Sequence, residues 1–544
     1  MSLRFLRGSQ DKEKKQVEVV NKEYEFDSDS SSELEHIFQD PVVAEHYKQI
    51  YDNCNYECRE HFDPEFTWTA EEEKKVVWKN DWYVTFWAFF MFTALDFDRN
   101  NISQALSDNM LDDLGMSTND YNVGKTINLV CFLAAELPSQ LLSKKVGPDI
   151  WIPSQIVLWS IVSMSQAAIT NKAGFYVTRG LLGALQGGFI CDICLWMSYF
   201  YTSKEFPFRL SLFYIANPLT AVWSSLLAFA LLKIKTNALP EGWKWLFLLE
   251  GLFTLLIGLV SFFKMPASAV QTKTWFRKNG WYTDREEKIV VNRVLRDDPT
   301  KGDMNNRQPV SLKELIRSLM DFDLWPVYLI RLLGDIGATP TSNYLTLTLR
   351  KLGFSTFKTN ALSIPYNILT IITMLVSGYM SEVLNSRALV LATIPIWILT
   401  ALFPLRYWPG SQVDAWGTFA ILTIVLGACP TWPLTISWCS ANSNSVRNRA
   451  VSAAVVNVFS QTAAIIAANI YREDDAPLYH RGNEQLIGCA FGALGACIFA
   501  RFYYIFRNKQ KDRAWNALTI EQQEDYVKNT TDDTNKRLDF KFAY

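Results

Sequence analysis

The segment that decides the fold spans residues 82–106 and reads WYVTFWAFFMFTALDFDRNNISQAL. A helix of about 20 mostly apolar residues crosses the roughly 30 Å hydrocarbon core of a bilayer, so this segment is long enough to span a membrane. Near its end, Asp96, Asp98 and Arg99 place three charged side chains within the span. Because such side chains are costly in lipid, they generally face a cavity or a partner. The segment therefore predicts a membrane helix that carries part of a polar functional site.

Charged residues are scarce in two blocks of nearly equal length, 82–263 and 324–506. These blocks hold 365 residues but only 41 of the 108 Asp, Glu, Lys and Arg side chains, about 11%, whereas soluble chains average about 25%. The aromatic content of 14%, with 19 Trp, suits a chain anchored at membrane interfaces. The net charge of −2 gives no basic excess for a nucleic-acid partner. The pattern predicts an integral membrane protein whose surroundings are the lipid bilayer.

Windows of about 20 apolar residues predict twelve transmembrane helices, six in each half of an all-α protein. The predicted spans are 82–106, 121–142, 150–170, 175–200, 208–232 and 245–264, then 324–349, 360–382, 388–406, 415–438, 450–470 and 484–506. The chain accordingly divides into an N-terminal tail at 1–81, a six-helix bundle at 82–264, a linker at 265–323, a second six-helix bundle at 324–506 and a C-terminal tail at 507–544. Two such halves around a linker are the architecture of the major facilitator superfamily, whose halves rock around a site near the bilayer midplane.

The distribution of basic residues predicts the side of the membrane on which each loop lies. With an even number of spans, both tails and the linker share one side, and the short loops there carry Lys144, Lys145, Lys204, Arg209, Arg387, Arg447 and Arg449. The loop at 107–120 on the other side has four Asp and no basic residue. That other side also holds Lys233, Lys235, Arg350, Lys351 and Lys358, so the positive-inside rule is obeyed on balance. We therefore expect a multi-pass plasma-membrane protein, a monomer or loose oligomer, with both termini in the cytosol.

Four motifs stand in order along the chain. They are Asp98-Arg99-Asn100-Asn101-Ile102 in the first span, Glu136–Pro148 after the second, Gly242–Gly251 opening the sixth, and Asn457, Gln461, Tyr471 and Asp475–Tyr479 around the end of the eleventh. Together they resemble the anion:cation symporter family, the fungal allantoate permease group of the major facilitator superfamily, over about residues 80–510. The whole chain, including Phe62–Thr69, resembles the yeast permeases of this group that import sulfur-containing anions such as sulfonates and sulfur oxyanions.

The resemblance implies that Arg99 is the family's substrate arginine. A guanidinium stays charged within a span and offers a planar donor fork that suits carboxylate or sulfonate oxygens. The alternative is a structural ion pair with Asp98, although adjacent residues on a helix do not face each other. Asn101 is either a polar ligand or a group that hydrogen-bonds between helices.

Arg179 begins the fourth span, and Gln186 lies two helical turns later on the same face. The resemblance implies Glu, the family's proposed proton carrier, at the position of Gln186. Gln cannot titrate, so Arg179 lacks its expected partner and this side of the cavity is more cationic. If protons drive uptake, buried carboxyl groups elsewhere must carry them. The candidates are Asp98, which we favour first, then Asp192 and Asp335, and also Glu136 and Glu250, for which an ion pair is favoured instead.

Arg331 and Asp335 lie one helical turn apart in the seventh span. We favour a self-neutralising pair, with a second arginine facing the anion as the alternative. Gly and Pro residues within 334–340 are expected to break this helix, and broken helices are tolerated at membrane depth only beside a cavity. Asn343 and Tyr344 follow the break and are candidate cavity ligands.

The remaining motif residues are expected to bind substrate or to control gating. Asn457 and Gln461 in the eleventh span are candidate substrate ligands. Glu136 and Glu250 lie near span ends, where a structural or gating ion pair is expected. The other residues with an expected gating role are Lys144, Lys145, Gly147, Trp243 and Trp245.

These features predict a secondary active transporter that imports a small anion together with protons. A membrane potential that is negative inside repels an anion by about 2.3 kcal/mol per charge per 100 mV, so accumulation requires cotransport of positive charge. The resemblance implies sulfonates, sulfite, thiosulfate or sulfate as substrates. The alternatives are allantoate, a monocarboxylate or an anionic vitamin such as nicotinate, pantothenate or biotin.

Other functional classes fit the sequence less well. A nontransporting nutrient receptor is the competing class. An ATP-driven pump is disfavoured because no Gly-x-x-x-x-Gly-Lys-[Ser/Thr] loop occurs. An embedded enzyme would need clustered His or carboxylate ligands, and the predicted spans contain no His. We expect no cofactor and no metal, with protons as the coupling ion.

Overall fold

A computed structural model describes the chain from residue 37 to residue 544. Within this range it does not describe residues 40, 54–55, 203–204, 235, 238, 303–315, 317, 385, 444–445, 520–521, 524–525, 527–533 and 539. Lys204 and Lys235 therefore lie outside the described residues, as do the side chains of Lys144, Arg447 and Arg449. The regular structure of the described part is helical, apart from one isolated β-bridge between Thr274 and Arg277.

The helices of the first half and of the linker follow in chain order. They are α1 (Pro41–Asn53), α2 (Ala70–Asn80), α3 (Phe86–Ala105), α4 (Thr118–Val146), α5 (Pro148–Ser165), α6 (Lys172–Gln186), α7 (Phe189–Ser198), α8 (Phe206–Leu231), α9 (Gly242–Lys264) and α10 (Asp284–Asp297). α3–α9 occupy the first six predicted spans, whereas α1 and α2 lie in the predicted tail and α10 in the predicted linker.

The helices of the second half occupy the other six predicted spans. They are α11 (Trp325–Ile336), α12 (Thr339–Lys351), α13 (Thr356–Ala361), α14 (Ile364–Val383), α15 (Arg387–Tyr407), α16 (Ala415–Leu426), α17 (Trp432–Asn442), α18 (Val446–Ala468) and α19 (His480–Asn516).

Several spans consist of two helices separated by a short break. The fourth span breaks between α6 and α7, where Gly188 has a φ of 80°, a conformation that favours glycine. The seventh span breaks between α11 and α12 at residues 337–338, within the Gly- and Pro-containing stretch that predicts a break. The tenth span breaks between α16 and α17. These breaks interrupt the backbone ladder at membrane depth, which requires protein or a cavity around them.

Among the described residues, six helical segments are long and apolar enough to cross a membrane by length and composition alone. They are Lys172–Ser198, Phe208–Ala228, Gly242–Lys264, Lys358–Ser381, Arg387–Tyr407 and His480–Asn516. The other predicted spans are broken, short or charged, as α3 is by Asp96, Asp98 and Arg99. The spans that fail this simple criterion are therefore the ones that carry most of the candidate functional residues.

The N-terminal tail and the linker fold against each other, although the sequence predicts two separate segments. They share a buried cluster that contains Phe38, Ala44, Tyr51, Tyr56, Cys58, Val291 and Leu295. Nε and Nη2 of Arg285 donate to the two carboxylate oxygens of Glu72 at 2.7 and 3.0 Å. These hydrogen bonds lower the pKa of Glu72 to about 2. Arg293 of α10 also forms an ion pair with Glu205 beside α8, which attaches this unit to the first bundle.

The C-terminal tail folds back onto the second bundle. Asn442 accepts from the backbone N–H of Ala543 at 2.8 Å and donates to its carbonyl oxygen at 3.3 Å. Asn508 makes the same two hydrogen bonds with the backbone of Phe542, both at 2.8 Å. The Phe542 ring is buried, 5.3 Å from the ring of Tyr504 between centroids. The tail is thereby attached to α17 and α19.

Candidate functional site

The two halves contact each other through α3, α4 and α8 on one side and α12, α13, α14 and α18 on the other. Near the α3–α4 loop, Asn122 donates to the backbone oxygen of Tyr471 at 2.8 Å and accepts from the hydroxyl of Tyr344. Nζ of Lys125 donates to Oδ1 of Asn343 at 2.5 Å. We call this end of the bundle the loop end. These hydrogen bonds hold the halves together there, so Asn343 and Tyr344, expected as cavity ligands, belong to the contact between the halves.

Arg99 carries a half-buried positive charge without a carboxylate in contact. Its guanidinium lies 5.1 Å from the centroid of the Phe132 ring on α4, a cation–π geometry. In the described part of the chain, no carboxylate oxygen lies within 4.0 Å of this guanidinium and no hydrogen bond engages it. The ion pair with Asp98 considered above is therefore absent there. Asp96, one turn earlier on α3, interacts with Arg99 electrostatically and accepts a hydrogen bond from Asn217 at 2.9 Å.

Arg179 is buried on α6 with a neutral partner. Its Nη2 donates to Oε1 of Gln166, and its guanidinium lies 5.5 Å from the centroid of the Phe175 ring. Among the described residues, it has no ion pair, and its Nε has no acceptor. Gln186 is also buried, and its Nε2 has no acceptor there either. The Gln at position 186 therefore leaves Arg179 to be satisfied by an amide oxygen, a partner that the sequence did not predict.

Asp98 contacts α5, whereas its neighbour Arg99 contacts α4. The hydroxyl of Ser163 on α5 donates to its Oδ1, and the side chain is only 1% exposed. Its Oδ2 is buried and has no hydrogen-bond partner within the described residues. Arg179 interacts with Asp98 electrostatically. Asp98 is thus a dry carboxyl group held by neutral donors, within the field of Arg179.

Arg331 and Asp335 form the pair that their spacing favours. Nη2 of Arg331 lies 3.0 Å from Oδ2 of Asp335 on the next turn. Thr431 and Ser460 bridge them: each hydroxyl accepts from Arg331 and donates to Asp335, at distances from 2.5 to 3.0 Å. The arginine of the second half is therefore paired with a carboxylate and hydrogen-bonded through both Nη atoms, in contrast to Arg99, although its Nε has no partner among the described residues.

Among the described residues, Glu136 has neutral hydrogen-bond partners and not the expected ion pair, and one of these partners joins it to the second half. Its Oε1 accepts from Nδ2 of Asn457 on α18 at 2.8 Å and from the thiol of Cys191 on α7 at 3.3 Å. Asn457, a candidate substrate ligand, is thus engaged by a carboxylate. Gln461, one turn later on α18, is half-buried and has no hydrogen-bond partner in the described structure, so its amide stays available to a ligand.

Asp192 and Asn101 are both buried, in different surroundings. Asp192 accepts a hydrogen bond from Ser139 at 3.3 Å, and Ser139 in turn accepts from Trp151 and Gln155. Asn101 is fully buried, and neither atom of its amide has a partner among the described residues. One of the two expectations for Asn101 was a hydrogen bond between helices, and this hydrogen bond is not present among the described residues.

The gating motifs pack at the ends of helices. Nε1 of Trp243 donates to Asp113 at 2.8 Å, and its backbone N–H donates to Asp108 at 3.0 Å, which fastens the start of α9 to the loop end. Trp245 donates to the backbone oxygen of Leu239 at 3.2 Å. Gly147 separates α4 from α5 with a φ of 102°. Beside it, Lys145 is exposed.

Glu250 does not form the expected ion pair. It is fully buried on α9, and its Oε1 accepts from the hydroxyl of Ser224 on α8 at 3.5 Å. Oε2 has no partner, and no cation lies within 4.0 Å of the carboxylate in the described part of the chain. Its motif position near the start of a span suggested a helix end at the membrane surface, whereas two further turns of α9 precede it.

Three residues of the site were not predicted from the sequence. Lys125 is a lone Lys within the apolar stretch 121–142, and the rule that flagged Arg99 also applies to it. Phe132 and Gln166 carry no such signal, because an aromatic ring or an amide in a span is most often a packing residue. Their contacts with Arg99 and Arg179 depend on how helices far apart in sequence pack.

The sequence model of the family described as Major Facilitator Superfamily matches residues 88–468 of the chain. An uncharacterized transporter of Saccharomyces cerevisiae is 44% identical over 519 residues, which cover 95% of this chain and 96% of that protein. The major facilitator-type transporter hxnP of Emericella nidulans is 26% identical over 460 residues, covering 84% and 90% of the two chains. These names give a transporter class and no substrate.

Two solved structures are similar in fold. One is a bacterial homologue of the human lysosomal transporter Spinster, with a TM-score of 0.56, 12% identity and coverage of 77% of this chain and 95% of that one. The other is the xylose transporter XylE of E. coli, with a TM-score of 0.56, 12% identity and coverage of 77% and 96%. The predicted fold class, an all-α membrane protein with two six-helix halves, is confirmed, and so is the prediction of a transporter instead of an enzyme.

Proposed function

The chain belongs to the Major Facilitator Superfamily and is a secondary transporter, and we propose that it imports a small anion together with protons. We further propose sulfonates and inorganic sulfur oxyanions as its substrate class. The transporter would act in the plasma membrane as a monomer or loose oligomer, with both termini and the linker in the cytosol. The loop end would then face the outside, where the hydrogen bonds between the halves close the site in the described state.

One observation carries the choice of an anion: among the described residues, no counterion contacts the guanidinium of Arg99. A half-buried guanidinium costs free energy in a membrane protein unless something compensates its charge. In the described residues, the Phe132 ring is the group in contact with it, and an aromatic face offers only a partial negative potential. An anion with two coplanar oxygens would complete this site by accepting two parallel hydrogen bonds.

Arg179 supports the same conclusion from a second helix. It too has no ion pair among the described residues, and the amide of Gln166 accepts only one of its hydrogen bonds. With Glu absent at position 186, the first half contains two arginines whose charges no contacting carboxylate balances. Asp96 and Asp98 act on them only through space. Two arginines without a contacting carboxylate favour a monovalent or divalent anion over a neutral substrate.

The sulfur-anion substrate class rests on the motifs that resemble the anion:cation symporters. The sulfonate group and the sulfur oxyanions present several equivalent oxygens around one centre, which suits the fork of Arg99. Allantoate, monocarboxylates and anionic vitamins also present two oxygens, so the arginine by itself does not separate these substrates. The pocket that surrounds the rest of the molecule makes that distinction.

Proton coupling rests on Asp98. Burial disfavours the charged form of this carboxyl group, which is 1% exposed, whereas the hydroxyl of Ser163 and the charge of Arg179 favour it, so the group has the opposing influences that a proton carrier requires. Asp335 is less suited to this role because Arg331 stabilises its charged form at 3.0 Å. Asp192 remains the second candidate, since its described partners are hydroxyl groups.

The experiment is uptake of labelled anions into cells or proteoliposomes that contain the purified protein. We expect saturable uptake of a sulfonate or sulfur oxyanion that a protonophore abolishes. The panel includes sulfite, thiosulfate, sulfate, an alkyl sulfonate, allantoate, nicotinate, pantothenate and biotin. Protonophore-sensitive uptake of a different anion would correct the substrate but keep the mechanism. Uptake that ignores the proton gradient would contradict the proposed coupling, and absence of any uptake would favour a nontransporting receptor.

A further inference from the structure

Asp98 has a second buried carboxyl group beside it. Glu250 on α9 is 0% exposed, Asp98 on α3 is 1% exposed, and the two interact electrostatically. Each has one carboxylate oxygen that is buried without a hydrogen-bond partner in the described structure, Oδ2 of Asp98 and Oε2 of Glu250. Two carboxyl groups so placed are an acidic pair inside the first bundle.

Close packing of α9 on α5 brings the pair together. A Cβ atom on Gly251 would lie 2.7 Å from Cγ of Met164 and 3.3 Å from the backbone oxygen of Ser160, so only glycine permits this approach. One turn further along α9, the hydroxyl of Thr254 lies 2.8 Å from that of Ser160. α3 packs on the same two helices. The position of Glu250 next to Asp98 is therefore fixed by the helix packing, not by a flexible side chain.

The described contacts of the pair supply too little positive charge for two ionised carboxylates. Ser163 donates to Asp98 and Ser224 donates to Glu250, and both donors are neutral. The cation that acts on the pair is Arg179 of α6, through Asp98. When two carboxyl groups share a dry site, repulsion prevents both from ionising, and one of them holds a proton.

Charged groups on the surrounding helices do not change this balance. On α3 itself, Asp96 and Arg99 flank Asp98 and interact with each other. On the other packed helices α5, α8, α9 and α12, the remaining charged side chains stand at helix ends, and they are Asp149, Arg209, Lys244, Lys264, Arg350 and Lys351. The packed helix α7 carries one further buried carboxyl group, Asp192, which adds no positive charge. The pair and Arg179 thus form a group of two acids and one base in the middle of the bundle.

We propose that Asp98 and Glu250 together form one proton-binding site that holds a single exchangeable proton. This proposal rests on the proposed proton-coupled function and assigns the coupling ion to a shared site instead of a single carboxyl group. With its proton bound, the pair carries one negative charge, which balances Arg179. When the proton leaves to water, the pair carries two negative charges, and the field at Arg179 and the neighbouring Arg99 becomes less favourable to an anion. Proton release and anion release are thereby linked.

The test compares Glu250→Gln, Asp98→Asn and the double variant with Glu241→Gln. Glu241 is a suitable control because it precedes the same helix and pairs with Lys244 near the surface at 3.0 Å. Each single variant leaves one carboxyl group without its repelling neighbour. We expect the midpoint of the pH dependence of uptake to move to more acidic pH by about one unit or more in Glu250→Gln. Asp98→Asn should move the midpoint in the same direction, and only the double variant should lose proton-driven accumulation, while substrate counterflow continues in all variants.

A second readout does not depend on transport. The melting temperature of the detergent-purified wild type should fall as pH rises from 5 to 8, because loss of the shared proton leaves a buried charge uncompensated. Glu250→Gln and Asp98→Asn should flatten this dependence, and Glu241→Gln should keep it. If Glu250→Gln retains both the wild-type uptake midpoint and the wild-type slope, the shared site is wrong. If a protonophore does not change uptake but the change of melting temperature with pH depends on both residues, the proposed proton-coupled function fails and the shared site stands.

Discussion

The amide of Asn457 on α18 donates to Glu136 on α4 across the two halves, with 2.8 Å between Nδ2 and Oε1. Lys125, also on α4, donates to Asn343 of the second half at the loop end. Eleven residues separate the two α4 side chains, which corresponds to about 16 Å along a helix. The halves are therefore joined along much of α4. A transporter that alternates between two openings has to break these contacts one after the other.

Replacing Asn457 by Asp is expected to place a second carboxylate against Glu136. Repulsion between the two groups should reduce uptake at pH 7 at least tenfold, and protonation of one of them near pH 5 should restore part of it. The measurement is initial uptake of labelled substrate between pH 5 and 8 at equal surface expression. Asn469→Ala is the control, since Asn469, directly after the end of α18, also contacts the first half, through Thr126. Equal impairment of Asn457→Asp at both pH values would contradict the contact.

Replacing Asp335 by Asn is expected to leave the charge of Arg331 uncompensated. Such a change in a largely buried pair should lower the free energy of unfolding by on the order of 2–3 kcal/mol and the melting temperature in detergent by several degrees. The double variant Arg331→Gln/Asp335→Asn should be more stable than Asp335→Asn alone, because no unpaired charge remains. A double variant that is less stable than the single one would show that the two residues do not act as a pair.

Replacing Glu72 by Gln is expected to loosen the N-terminal tail from the linker. The pKa of Glu72 is lowered to about 2 by its hydrogen bonds with Arg285, so its ionised form stabilises the folded state. This contribution is fully present above a pH of about 4.5 and is lost as pH falls through about 2. Between pH 5 and 8 the attachment should therefore not vary with pH.

Limited proteolysis of the tail at pH 7 is the measurement for Glu72→Gln. Cleavage should be faster than in wild type, while Glu71→Gln, which changes the adjacent residue on α2, should behave as wild type. Equal cleavage of both variants and wild type would mean that the hydrophobic cluster alone attaches the tail.

Replacing Gln186 by Glu is expected to change the pH dependence of uptake. A carboxylate introduced on the buried face of α6 would balance part of the charge of Arg179 and weaken anion binding at neutral pH. Uptake at pH 7 should fall severalfold and recover toward pH 5 as the new group is protonated. The measurement is the concentration dependence of uptake at each pH. An unchanged KM at pH 7 would separate Arg179 from the substrate site.

Much of the fold could be predicted because it depends on local sequence. Apolar length predicts the spans, glycine and proline predict the break between α11 and α12, and helical periodicity predicts the pair of Arg331 and Asp335. The same periodicity indicates that Asp98 and Arg99 point in different directions, as they do.

The contacts between distant helices could not be predicted in this way. Glu136 was expected to find a cation and instead meets Asn457, and Glu250 was expected to find a cation and instead lies beside Asp98. No local rule states which helix packs on which, or that Gly251 lets α9 approach α5. The charges themselves were visible in the sequence, whereas their partners depend on tertiary packing.

The most direct test of anion binding at Arg99 is the uptake of labelled substrate by Arg99→Gln and Arg99→Lys in proteoliposomes. Arg406→Gln serves as the control because Arg406 pairs with Glu484 at 2.5 Å outside the site. Gln removes the positive charge, and Lys keeps a point charge that cannot reproduce the planar fork, so both Arg99 variants should lose at least 90% of uptake. The control should keep wild-type activity, and all three proteins should be inserted equally. Uptake by Arg99→Gln at the wild-type rate would contradict the assignment of Arg99 as the anion ligand.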